Sequence, residues 1–298
     1  MGTPIVLGAP RPSPFFTPMF VAIDRGFLAD EGLDGSMCYR VGVPGLQDGR
    51  VDFSFNGGPH RAFLSGQDVR LICGHATRET SHVLMMRPEI ESVSQLELVL
   101  LPGGSGDKAE WFVDELNSIL AGQGLDLTQS EITTEHVDGS HPEQWELLQQ
   151  GRGDAATLGA PYWIFAAKDG YQTIGGEADF RPDSSYSGIV VAARMLDQRP
   201  EVVQAFVRAY IRAMSYCAQN PEGARETMVK YAVEWGIDNP EIAKAVYDEL
   251  APFWSAEVDL AMVDTLLKQT GAKLGKPTVQ VEEFAAVGFL EEALSGRS

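Results

Sequence analysis

Histidine and arginine side chains are concentrated in two short segments that could carry chemistry. Three of the five histidines, His60, His75 and His82, occur there together with Arg61 and Arg78. Imidazoles titrate near neutral pH, so such a group could supply an acid and a base, and it could also hold a metal ion. The spacing matches no standard metal-binding pattern, and no metal site is predicted. If the protein is an enzyme, we expect these three histidines to be its catalytic groups.

The loop 10–16 combines one cation with a hydroxyl and two adjacent phenylalanines. Arg11 offers a planar fork to a carboxylate or sulfonate, and Ser13 and Phe15 could contact the rest of such a molecule. The alternative is that Arg11 is solvated and Phe15 belongs to the core. Further on, the backbone amides of 56–58 could bind an oxyanion, or the same residues could form a plain tight turn.

A glycine-rich turn and several aromatic side chains complete the candidate site. The turn 103–106 precedes a predicted helix and could place amides against an anion, although it contains no Gly-Lys-Ser/Thr and is not a nucleotide loop. Aromatic residues could stack on a ring, or could instead simply pack the interior. No cofactor is predicted. The candidate ligand-binding residues are Arg11, Ser13, Phe15, Asn56, Gly57, Gly58, Arg78, Gly104, Ser105, Tyr162, Trp163 and Tyr186.

Composition limits the possible partners. The 298 residues include 23 Lys and Arg against 42 Asp and Glu, a net charge of −19, which argues against nucleic acid or phospholipid as a partner. No apolar run is long enough to predict a membrane span. The N-terminus as written has no export signal, which predicts a cytoplasmic protein, or a periplasmic or extracellular one if a leader was trimmed. The three cysteines lack paired spacing and are expected to be small interior residues.

Hydrophobic periodicity predicts alternating strands and helices. Apolar strands are expected at 5–7, 51–55 and 69–73, with one helix from about Pro18 to Glu31 between the first two. The rhythm restarts near residue 94, with strands at 98–101, 131–137 and 154–158. His136 and His141 are expected at the surface of this part.

An apolar strand at 187–193 is followed by an almost wholly helical remainder. The predicted fold is therefore α/β with two lobes, each a doubly wound, mostly parallel sheet with flanking helices, and a helical C-terminal region. Lobe one is expected to comprise 1–84 and 190–298, and lobe two to comprise 85–189.

Motifs along the chain resemble the solute-binding proteins for sulfonates, taurine, nitrate and thiamine precursors, a group that includes thiamine-pyrimidine synthases. The resemblance lies in the string Phe20 to Leu33, in Leu46-x-x-Gly49-x-Val51-Asp52 and in Gly151-x-Gly153-Asp154. It continues in Asn220-Pro221-Glu222-x-Ala224 and Phe289-Leu290-x-x-Ala293. This resemblance implies a type II periplasmic-binding fold, a ligand cleft between the lobes and, for an exported protein, an ABC transporter permease as partner.

The same scaffold also carries enzymes, so the fold alone does not decide function. The histidine- and cysteine-rich stretch of thiamine-pyrimidine synthases has no counterpart here, and Ser13 stands where aromatic sulfinate lyases carry a cysteine. We therefore expect a receptor for a small, anionic, aromatic or heterocyclic carboxylate or sulfonate. The alternative is a cytosolic lyase, decarboxylase or ring-modifying enzyme that uses Arg11 and the histidines above.

Overall fold

The computed structural model describes residues 2–77, 82–103, 107–137, 141–176, 179 and 187–296, without the side chains of 56, 57, 107 and 108. Its internal contacts divide the chain into two units, unit 1 (Met1–Glu79 and Tyr186–Ser298) and unit 2 (Thr80–Ser185). Each unit has its own sheet. None of the helices in the described ranges is long and apolar enough to cross a membrane.

The elements are numbered in chain order. The strands are β1 (Thr3–Ala9), β2 (Leu33–Tyr39), β3 (Phe53–Gly57), β4 (Val69–Ala76), β5 (Val83–Met86), β6 (Leu98–Pro102), β7 (Thr133–Val137), β8 (Ala155–Leu158), β9 (Gln172–Gly176) and β10 (Ser187–Ala192). The helices are α1 (Thr17–Asp24), α2 (Phe27–Asp30), α3 (Pro44–Gln47), α4 (Pro59–Leu64), α5 (Asp107–Gly122), α6 (His141–Gln149), α7 (Tyr162–Lys168), α8 (Ala193–Gln198), α9 (Pro200–Gln219), α10 (Pro221–Tyr231), α11 (Pro240–Leu250), α12 (Leu260–Lys273) and α13 (Gly288–Ser295).

The two sheets share one topology. Unit 1 has the order β2-β1-β3-β10-β4, in which β1 pairs in parallel with β2 and β3 while β10 runs antiparallel to β3 and β4. Unit 2 has the order β7-β6-β8-β5-β9, with β5 as the antiparallel strand. Strands β6 and β8 are almost wholly buried and read as apolar runs, whereas the edge strands β2 and β7 are partly exposed. The predicted α/β class with doubly wound, mostly parallel sheets is confirmed.

One helix that the sequence predicts as continuous is interrupted. The structure has α1 ending at Asp24 and α2 beginning at Phe27, because Gly26 adopts a left-handed conformation with φ of 77°. A left-handed residue ends a helix, and glycine adopts it without a Cβ clash. The prediction of one helix from Pro18 to Glu31 is therefore wrong at its centre.

Strand β3 is shifted towards the C-terminus relative to the prediction. It runs from Phe53 to Gly57 instead of ending at Phe55, and Asn56 and Gly57 lie opposite Gly188 and Ser187 in the ladder with β10. The predicted loop of exposed amides therefore begins at Gly58, since the two preceding residues belong to the sheet.

An aspartate at the entry to the third strand of each sheet ties that strand to its neighbour. In unit 1 the Asp52 carboxylate accepts a hydrogen bond from the Val6 amide at 2.8 Å, and Arg199 donates to it at 2.8 Å. In unit 2 the Asp154 carboxylate accepts from the amides of Glu97 and Leu98 at 2.8 and 3.0 Å. Asp52 thus satisfies a backbone donor in the middle of β1, and Asp154 satisfies two at the start of β6.

Removing the Asp154 carboxylate should destabilise the protein. Asp154→Ala leaves the two amides without their acceptor, so we expect a loss of about 1–3 kcal/mol in the free energy of unfolding. Urea denaturation measures it, and Asp34→Ala, at an exposed position on β2, is the matched control. Equal losses in both variants would contradict this role.

Candidate functional site

The candidate residues of unit 1 lie at one edge of its sheet. The carboxyl ends of β1 to β4 meet there with the amino end of β10, which is where α/β sheets bind ligands. Arg11 and Ser13 follow β1, Gly58 and His60 follow β3, and His75 lies near the end of β4. These five residues, all candidates from the sequence, therefore lie at or just after the carboxyl ends of the unit 1 strands.

The carbonyl oxygen of Phe15 is the main anchor of the loop after β1. His75 Nε2 and Trp254 Nε1 both lie 3.0 Å from it. A carbonyl only accepts, so Nε2 of His75 carries the proton and its Nδ1 accepts from the Tyr210 hydroxyl, which lies in hydrogen-bonding contact. The tautomer of His75 is thereby fixed by its neighbours.

This environment keeps His75 neutral. The ring is fully buried and packs against Phe15, Phe16 and Phe55 with centroid separations of 4.7, 5.6 and 5.4 Å. Burial lowers the pKa of His75 to about 3, and the hydrogen bond to the Phe15 carbonyl opposes that shift. Both ring nitrogens are used within the protein, so the position suits a structural clamp better than the acid–base role predicted for an enzyme.

Ser13 and Phe15 also take part in building this loop. The Ser13 hydroxyl oxygen accepts from the Phe15 amide at 3.3 Å and caps the short 3₁₀ turn Pro14–Phe16. Both side chains are buried. The structure therefore favours the alternative that Phe15 belongs to the core, and it uses the serine hydroxyl as a helix cap.

A sharp turn after β3 carries the next candidates. Gly58 has φ of 57° and Pro59 opens α4, so the chain reverses directly into the first turn of that helix. His60 is 1% exposed, and its pKa is lowered to about 3, chiefly by burial and then by the nearby Arg61 charge. Arg61 itself is half-buried.

The segments after the unit 1 strands are basic in a strongly acidic chain. Arg11 follows β1, Arg40 follows β2 and Arg61 follows β3, whereas 10–18, 40–47, 58–64 and 77 contain no aspartate or glutamate. Arg40 is held beside the end of β1 by its amide, which donates to the Ala9 carbonyl at 3.0 Å. This edge therefore has the charge that favours an anionic ligand.

Unit 2 contains a buried imidazole–carboxylate pair that the sequence did not reveal. His82 precedes β5, and its Nδ1 lies 3.0 Å from one Glu115 oxygen and 3.2 Å from the other. The His82 ring packs edge-on against Trp111 and Phe112. The sequence feature that could have indicated this pair is Glu115, an acidic residue on the otherwise apolar face of the predicted helix. This face of α5 packs on the sheet.

His141 lies beside this pair, and the expectation of a surface position is wrong. It is 1% exposed, and its ring centroid is 5.1 Å from that of His82. The Gln144 amide nitrogen donates to the carbonyls of Leu100 and Thr157 at 3.2 and 3.3 Å. Its oxygen must therefore accept from His141 Nδ1, 2.9 Å away, which fixes this tautomer too.

The aromatic candidates of unit 2 open α7. Tyr162 and Trp163 follow β8 through Gly159 and the cis Ala160–Pro161 bond. Both side chains are half-buried and pack against the apolar cluster around Trp145, Leu148 and Leu158. They therefore serve partly as interior residues, as the alternative interpretation of the sequence allowed.

Four predicted site residues, Arg78, Gly104, Ser105 and Tyr186, lie outside the described residues, and the Asn56 and Gly57 side chains do too. Within the described ranges, no group of three or more His, Cys, Asp or Glu side chains is placed to hold a metal ion. Of the cysteines, Cys73 and Cys217 are buried and Cys38 is half-buried.

Comparison with known proteins gives a partial family match. Residues 115–233 match the model of the NMT1-like family, which is less than half of the chain. The riboflavin-binding protein RibY of Chloroflexus aurantiacus is 31% identical over 72 residues, and that match spans 24% of this chain and only 20% of RibY.

Solved structures extend the similarity to the whole chain. The alkanesulfonate-binding protein SsuA from Xanthomonas axonopodis pv. citri, bound to MOPS, has a TM-score of 0.74 at 14% identity, over 96% of this chain and 99% of that one. The desulfurization enzyme DSZB has a TM-score of 0.69 at 16% identity, over 99% and 100% of the two chains. The type II periplasmic-binding fold implied by the resemblance is confirmed, and a sulfonate-binding protein of the resembled group is among the structural relatives.

Stability should fall in mild acid because of His60 and His75. Their pKa values are about 3 in the folded protein and about 6.5 in the unfolded chain, so only the unfolded chain gains protons as the pH drops below 6.5. Stability is therefore complete above pH 6.5 and decreases towards pH 3, by about 1.4 kcal/mol per pH unit for each histidine.

Urea denaturation between pH 7.5 and 5 measures this slope. His60→Gln and His75→Gln should each reduce the slope of stability against pH by about 1.4 kcal/mol per pH unit, the contribution of one histidine. Trp254→Phe is the control, because it removes the other donor to Phe15 without removing a titrating group. Wild-type slopes in both histidine variants would contradict the assignment.

Proposed function

We propose that this protein is a receptor that binds a small, anionic, aromatic or heterocyclic carboxylate or sulfonate without converting it. The observation that carries the proposal is the basic edge of unit 1, where Arg11, Arg40 and Arg61 follow successive strands and no acidic residue occurs in the described parts of those segments. Arginine binds carboxylates and sulfonates through paired N–H donors, so these side chains fit an anionic head group.

Aromatic side chains support the second half of the ligand class. Tyr162 and Trp163 open α7 at the ligand-binding edge of unit 2, and the described residues after β8, 159–165, carry no charge. Such a segment suits an apolar ring. The names of the relatives each agree with one half of this class, because SsuA is an alkanesulfonate-binding protein and RibY is named for riboflavin, an uncharged heterocyclic ring system.

The states of His75 and Ser13 favour binding over chemistry. The ring nitrogens of His75 and the hydroxyl oxygen of Ser13 are used to hold the loop after β1. The similarity to DSZB leaves an enzyme as the alternative. The components of ABC import systems among the structural relatives support an ABC importer as partner and a periplasmic or extracellular location.

Neutralising an arginine at the basic edge should weaken anion binding. We expect Arg11→Gln and Arg61→Gln each to lower the affinity for benzenesulfonate or benzoate about 10-fold or more, since a charge-assisted hydrogen bond contributes about 1.5–3 kcal/mol. Isothermal titration calorimetry measures the affinity. Arg50→Gln is the matched control, because Arg50 is exposed, pairs with Asp48 and precedes β3 at the opposite end of the strand.

Three outcomes would contradict the proposal. Equal affinities in the wild type, Arg11→Gln and Arg61→Gln would show that neither arginine contacts the ligand. If liquid chromatography shows that a bound probe is consumed during incubation, the protein is an enzyme and not a receptor. Riboflavin belongs in the same series, because tight binding of this uncharged ring system with no binding of the anions would contradict the anionic class.

A further inference from the structure

The indole N–H of Trp163 has no hydrogen-bond acceptor among the described residues. Its Nε1 atom is buried. The indole nitrogen can only donate, so no rearrangement of its own proton can satisfy it. A buried donor without an acceptor is rare and costly in native proteins, and each one calls for an explanation.

An internal sequence repeat pairs Trp163 with a residue of the proposed anion site in unit 1. The segments before the third strand of the two sheets match as Leu-Gln-x-Gly-Arg-x-Asp, ending at Asp52 in unit 1 and at Asp154 in unit 2. Both aspartates bond to the neighbouring parallel strand, so the sequence match is also a structural one. Continuing without a gap, the match pairs Gly57-Gly58-Pro59-His60-Arg61 with Gly159-Ala160-Pro161-Tyr162-Trp163.

This register pairs Trp163 with Arg61. Each residue lies in the first turn of the helix that follows the third strand, α4 in unit 1 and α7 in unit 2. Arginine and tryptophan share one property here, which is an N–H group that can donate to a ligand. Tryptophan differs because its side chain is uncharged and aromatic. The ligand group that it would contact is therefore apolar and carries an acceptor atom.

We propose that Trp163 Nε1–H donates a hydrogen bond to an acceptor atom on the aromatic or heteroaromatic part of the ligand. This inference rests on the proposed function and narrows its ligand class. The ring must carry a ring nitrogen, a carbonyl or a ring-linked oxygen, and a plain hydrocarbon ring would leave the donor unpaired. Trp163 is therefore a specificity residue, whereas a stacking wall alone would accept any ring.

The test uses benzenesulfonate, nicotinate and riboflavin as probes with the full-length protein. The indole ¹⁵N–¹H resonances are assigned by deletion in Trp163→Phe and Trp145→Phe. We expect the Trp163 resonance to move downfield when nicotinate or riboflavin binds, because its proton then enters a hydrogen bond, and to stay unmoved with benzenesulfonate, whose ring carries no such acceptor. The Trp145 resonance is the internal control, since this side chain is buried in the same apolar cluster.

Affinity provides the second readout. Trp163→Phe keeps an aromatic ring but removes the donor, so the affinity for nicotinate or riboflavin should fall about 3- to 10-fold, and Trp145→Phe should change it less. Nicotinate or riboflavin bound to the wild type with an unmoved Trp163 resonance, or with equal affinity for Trp163→Phe, would overturn this inference alone. If none of the three probes binds the wild type, the proposed function fails and this inference fails with it.

Discussion

The double hydrogen bond to the Phe15 carbonyl is the constraint on which the unit 1 site depends. Its donors, His75 on β4 and Trp254 beyond α11, are far apart in sequence and converge on one atom of the loop after β1. A proline-rich loop with a fixed anchor loses little entropy when a ligand binds, which favours affinity. The anchor also suits a histidine in the core there, because a neutral imidazole donates to the carbonyl from one ring nitrogen while the other accepts from the Tyr210 hydroxyl.

The two units share one structural feature, an aspartate that bonds to the neighbouring strand, and differ in the side chains of the helix turn that follows. Asp52 and Asp154 each accept hydrogen bonds from backbone amides of the adjacent parallel strand, and the strand that follows each one turns into a short helix. The backbone is thus repeated while the first-turn residues change from histidine and arginine to tyrosine and tryptophan. Because the backbone position is the same in both units, the difference lies in the side chains, which include the cation of Arg61 in the first turn of α4 and are aromatic and uncharged in the first turn of α7.

The sequence predicts the architecture well because strand and helix periods follow from burial. It fails where a contact between distant residues decides the outcome. Nothing local to His141 indicates that Gln144 will fix its ring, and the role of Gln144 itself depends on carbonyls of β6 and β8. Likewise, the pairing of Asn56 with β10 requires knowing that a strand some 130 residues later returns to the first sheet. Candidate site residues could be placed at strand ends from sequence, but their partners could not.

The acidity of the chain and the basic edge of unit 1 act over different ranges. The net charge of −19 would repel an anion at long distance in low salt, but at physiological ionic strength the field of exposed charges is screened within about 8 Å. Half-buried Arg11 and Arg61 are screened less, and no carboxylate shares the described segments that hold them. The local charge at this edge is therefore set by the arginines more than by the distant surface. The excess of acid on the rest of the chain contributes to solubility and carries no information about what the site binds.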